Sequence, residues 1–119
     1  MSYDTKNNTL TDIELNIALR RFISLANRHY DIAGAILYGS RARGTHRPDS
    51  DVDVAVILNG AHQRILPITL AMSDIAYDVL LESNLNISPL PVWLDEWEQP
   101  SKHSNPALLH NIAREGLRL

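Results

Sequence analysis

Two short apolar runs joined by a polar segment constrain this chain more than any other feature. Ala33-Gly34-Ala35-Ile36-Leu37-Tyr38 is stopped by Gly39, and the run Asp51 to Leu58 places Val52, Val54, Val56 and Leu58 at alternate positions. A period of two predicts strands, the second with one buried face. Ser40 to Ser50 between them is polar and contains Gly44 and Pro48. It therefore reads as a loop, one that can open with a single helical turn.

The flanking segments supply cover for those strands. Leu15, Leu19, Phe22 and Ala26 recur at helical spacing with Ile23 beside them, behind a capping-box pair at Thr11 and Glu14. A first helix is expected from there to about Arg28, with residues 1–8, which are polar, loose. Ile68, Met72, Ile75 and Val79 predict a second helix over 63–83, with Pro67 in its first turns, where a missing donor costs least. Asn86 to Val92 reads as a third strand whose two prolines suit a sheet edge. Residues 93–104, with Trp93 and Trp97, are expected to be irregular, the tryptophans covering a core edge. Asn105 and Pro106 fit the cap and first position of a final helix that Gly116 ends. The order implies an α/β (α+β) fold: a small mixed sheet covered by helices.

Composition removes several functional classes. The chain has 119 residues, one domain's worth, and no cysteine, so disulfides, thiolate zinc sites and cysteine nucleophiles drop out together. Its five histidines lack metal-ligand spacing. A net charge of −3 argues against long nucleic acid as the main ligand. No apolar run approaches the ~20 residues of a membrane span, and the polar start lacks a signal peptide's apolar stretch. A cytoplasmic location is the expectation.

The chemistry concentrates between Gly39 and Asp53. Gly39 lets backbone approach a phosphate that a β-carbon would hold off. Ser40 adds a hydroxyl, and Arg41, Arg43 and Arg47 add positive charge nearby. Asp51 and Asp53 lie two apart on a strand, so both leave the same face, with α-carbons roughly 6.5 Å apart. Such a pair suits Mg2+, which takes one or two carboxylates plus substrate phosphates. Taken singly, each feature has an ordinary reading. Gly39-Ser40 is a strand-ending turn, the acids a solvated strand end, the arginines surface residues, Asp74 and Asp78 solvated helix acids and Tyr77 a packing residue. Only their joint spacing argues for a site.

That spacing resembles the Gly-Ser-x10-Asp-x-Asp motif of the DNA polymerase β-like nucleotidyltransferases. The string GSRARGTHRPDSDVDVAV resembles their minimal nucleotidyltransferase (MNT) branch, whose members are often antitoxins paired with a HEPN-family ribonuclease toxin. The C-terminal NPALLHNIAREGLRL is similar to the final helix of these proteins. The resemblance implies a single minimal nucleotidyltransferase domain over 1–119. It implies transfer of AMP from ATP, with Mg2+, to a hydroxyl such as a tyrosine of the partner toxin. Gly39, Ser40, Arg41 and Arg43 would bind the nucleotide, and Asp51 and Asp53 would be the catalytic metal ligands. The partner would be a HEPN-family toxin, with which the chain can form an oligomer. In the family a third carboxylate sits on a later strand, but the segment Asn86 to Val92 contains no acid; Asp74 and Asp78 on the expected second helix are the remaining candidates, Asp78 the better of them. The alternative is a module that neutralises its partner by binding alone. Transfer to a small molecule, as in aminoglycoside nucleotidyltransferases, ranks last, because those have an additional helical domain for the acceptor.

Overall fold

The computed structural model describes residues 3–119, with side chains described from Ile13 onward. Its elements are α1 (Tyr3–Ala26), β1 (Ile32–Tyr38), α2 (Ser40–Arg43), β2 (Val52–Leu58), α3 (Ile65–Ser83), β3 (Ile87–Trp93), α4 (Leu94–Glu98), α5 (Pro106–Glu115) and β4 (Leu117–Arg118). The four strands form one sheet in the order β3-β2-β1-β4. Antiparallel β1 and β2 are joined through the polar loop, while α3 crosses over to bring β3 parallel to β2. The two-proline strand is thus an edge, as its missing donors require.

Alternation along β2 sends Val52, Val54, Val56 and Leu58 to one face. There they meet Leu15, Leu19 and Phe22 of α1 and Ile68, Met72 and Val79 of α3. Each such side chain stabilises the fold by about 1.5–3 kcal/mol when fully buried, so this layer is the main source of stability. The opposite face is covered only in part. Ile36, Ala55, Ile57 and Val92 pack there against Leu109 and Ile112 of α5, with Leu94 and Trp97 at the side.

Several boundaries differ from expectation. Residues 3–8, expected to be loose, are the first turns of α1, and Thr11 lies inside that helix instead of capping it. Once Leu15 to Ala26 are packed, extending a helix backwards costs little per residue. Thr11 is outside the described side chains, so the capping contact itself is too. The stretch 93–104 is ordered as α4 and a 3-10 turn over 100–102. There the Trp93 amide donates to Glu96 Oε1 at 3.0 Å, fixing the start of α4. The last helix begins as its sequence implies, with Asn105 Oδ1 accepting from the Leu108 amide at 3.2 Å. Beyond Gly116 the chain adds β4, a two-residue strand paired with Ile36 and Leu37, which has no pattern of its own.

Candidate active site

The strand register assembles the site at one end of the sheet. Tyr38, the last residue of β1, pairs with Asp53, so both side chains leave the face that α5 covers only partly. The Val52 amide donates to the Asn86 carbonyl at 2.8 Å, which starts β2 and β3 side by side. That places Asp51 beside Asn86, whose Nδ2 donates to Asp51 Oδ1 at 3.0 Å. In the same register Asp53 stands across from Ser88.

Gly39 turns the chain out of β1 with φ 77° and ψ −155°, a conformation that is essentially glycine's alone. A β-carbon there would also collide with Asp53 Oδ2. Both the backbone angle and the close approach therefore demand glycine. Ser40 follows at the start of α2, partly buried, with no side chain capping that turn.

Electrostatics tie the pair together. The Asp53 carboxyl is pushed above the usual range by burial and by the charge of Asp51, with Arg43 pulling partly the other way. The Tyr38 phenol is pushed up to about 12 by burial and by the adjacent Asp53 charge. With the Asp51 charge raising the cost of ionising Asp53, the pair forms an environment that a hard cation relieves. Among the described residues no group of three His, Cys, Asp or Glu side chains could hold a metal. Asp74 and Asp78 are exposed on α3 and do not join the pair.

The arginines part company. Arg41 is 7% exposed, and its guanidinium is spent on the loop. Nε and Nη2 donate to the Ser50 carbonyl at 3.2 and 3.0 Å, and Nη2 reaches the Pro48 carbonyl at 3.4 Å. It therefore fixes the segment that delivers Asp51 and is not presented at the turn, unlike the nucleotide contact expected of it. Arg43 is exposed beside Asp53, with Nη1 donating to Glu115 Oε1 at 3.0 Å. Of these two it is the one exposed beside the aspartate pair. Arg47 is exposed in the loop, where its amide donates to Ser50 Oγ at 2.9 Å.

Two participants escaped the sequence reading. Asn86 emerges only from the parallel register, which no local pattern displays. Tyr38 could have been found, because it directly precedes the glycine and β1 pairs with the Asp-x-Asp strand.

Comparison with known proteins places the chain in a family. A Methanocaldococcus jannaschii protein named "putative protein adenylyltransferase" is 34% identical over 80 residues, 66% of this chain and 54% of that protein. The chain thus spans about half the length of that relative. The crystal structure of a Sulfolobus solfataricus protein titled a "putative nucleotidyltransferase" aligns over 88% of this chain and 84% of its own, with 14% identity and a TM-score of 0.45. The family model described as "Polymerase beta, Nucleotidyltransferase" matches residues 20–93, from within α1 to the end of β3. That span holds the glycine turn, both aspartates and the strand beside them, and the chain belongs to the polymerase beta nucleotidyltransferase family.

Proposed function

We propose that this chain transfers AMP from ATP to a tyrosine hydroxyl of a HEPN-family ribonuclease toxin and thereby acts as its antitoxin. The observation that carries the reading is the close seating of Gly39 against Asp53, with Asp51 immediately before β2 and its charge acting on Asp53. Gly39 and Ser40 would receive the triphosphate, with Arg43 adding charge. Asp51 and Asp53 would hold Mg2+, which when bound neutralises phosphate charge as it develops. Asn86 keeps Asp51 oriented through its amide. The acceptor oxygen forms a bond to the α-phosphorus while the bond to the bridging oxygen breaks. Pyrophosphate leaves, and the hydroxyl proton passes to solvent. Positioning and charge supply most of the rate in such transfers. The name of the M. jannaschii relative supports adenylyl transfer to a protein.

The test is the intact mass of the toxin after incubation with this chain, ATP and Mg2+. Addition of AMP that is lost in Asp51→Asn/Asp53→Asn supports the reading; an unchanged mass rejects it.

Ser88 across from Asp53 motivates a second reading, in which the chain neutralises the toxin by contact. Full neutralisation by the same double variant would select that one.

A further inference from the structure

The start of β2 has two flanks. On the β1 side Gly39 presses against Asp53, and on the β3 side Asp51 opens into a cavity of about 340 Å³ between α3 and β3. Thr69, Ser73 and Tyr77 of α3 line it together with Asn86 and Ser88. Thr69 and Ser73 donate their hydroxyl protons to helix carbonyls at 3.0 and 2.9 Å, so their oxygens remain able to accept.

Displacement at phosphorus needs the entering and leaving oxygens on opposite sides. With triphosphate on the Gly39 flank, the acceptor must enter from the Asp51 flank, where this cavity lies. Tyr77 also belongs to a second feature. Leu66, Leu70, Tyr77 and Leu81 are 60%, 58%, 58% and 68% exposed, at helical spacing on the outer face of α3. Asp74 and Asp78 run alongside, α3 carries no Lys, Arg or His, and Glu82 at its end is paired with Arg21 of α1. An apolar stripe edged by acid and continuous with the site matches a partner segment that is apolar and basic.

We infer, on the basis of the transferase reading, that this cavity takes the acceptor hydroxyl side chain of a partner protein whose apolar, basic segment lies along Leu70, Tyr77 and Leu81. Bond formation at its oxygen and loss of pyrophosphate then occur across the aspartate pair, from one flank to the other.

The test uses two exposed positions: Ser73→Trp, which fills the cavity, and Leu81→Glu, which charges the stripe away from it. The probes are the HEPN-family toxin as acceptor and a non-hydrolysable ATP analogue with Mg2+. Each variant should raise KM for the toxin by ~10-fold or more, while Kd for the analogue stays within about twofold of the parent. Unchanged KM in both variants overturns the acceptor surface and leaves the transferase standing. A parent protein that never modifies the toxin overturns the transferase reading and this surface with it.

Discussion

Gly39 sits close against Asp53: a β-carbon on residue 39 would collide with Asp53 Oδ2. The turn and the second strand are therefore matched to each other, and the positive φ of 77° gives a second reason for glycine.

Gly39→Ala should accordingly fail on two counts. The backbone region costs about 1–3 kcal/mol for a residue with a side chain, and Asp53 must also move away. Thermal unfolding should show a loss of that size, and titration with Mg2+ should show weakened binding in whatever protein remains folded. Alanine tolerated with unchanged Tm and Mg2+ affinity would contradict the packing described.

Asp53→Asn should do the opposite to stability while abolishing transfer. Burial and the Asp51 charge raise the Asp53 pKa, so its ionised form disfavours the folded state at neutral pH. A group with a raised folded pKa contributes stability below its unfolded pKa and loses it as pH rises through the folded one. Removing the charge should raise Tm by a few degrees at pH 7 without Mg2+. The gain should shrink on acidification, as the parent carboxyl itself becomes neutral. A variant that is less stable at pH 7 than at pH 4, relative to the parent, would refute the sign.

Arg41 and Arg43 should separate in kind. Arg41→Ala removes a buried guanidinium that holds two loop carbonyls and should cost about 1.5–3 kcal/mol, with Arg41→Lys only partly restoring it. Arg43→Ala breaks an exposed pair with Glu115 and should cost under about 1 kcal/mol. Its effect belongs in KM for ATP. Denaturant unfolding and steady-state kinetics on both variants check the division.

Tyr38 should ionise late, well above the ordinary value of a phenol. Its folded pKa of about 12 lies above its ordinary value of 10.0. The sign follows from linkage: its contribution is complete below the unfolded value and disappears as pH rises from about 10 to about 12. Ultraviolet difference titration should show a late phenolate step that Tyr38→Phe removes. The same late step in the variant would assign it to another tyrosine.

Legibility along the chain followed the range of the interactions. The Gly39-Ser40 turn and the Asp51–Asp53 pair were readable because strand alternation and glycine's backbone freedom are local rules. The caps at Asn105 and Pro106 were local in the same way. The roles of Arg41 and Asn86 were not readable, since a guanidinium's choice between a phosphate and its own loop depends on how residues 47–50 return. Likewise, two residues of β4 form a strand only because β1 offers them an edge.

The register also turns the absent third carboxylate into an experiment. Ser88 is exposed, stands across from Asp53 on the parallel edge strand, and lies next to the Asn86 that orients Asp51. A carboxylate at residue 88 would add a third hard oxygen to the pair, and its like charge would cost stability without a cation. Ser88→Asp should therefore lower Tm in the absence of Mg2+ and regain it on titration. Apparent Mg2+ affinity by calorimetry should rise ~10-fold, about 1.4 kcal/mol. If transfer is held back by the missing acid, kcat should rise with it while KM for ATP changes little. Should Ser88→Asp bind Mg2+ no better than the parent, residue 88 faces away from the pair. The two aspartates then have Asn86, just before β3, as the polar neighbour that orients Asp51.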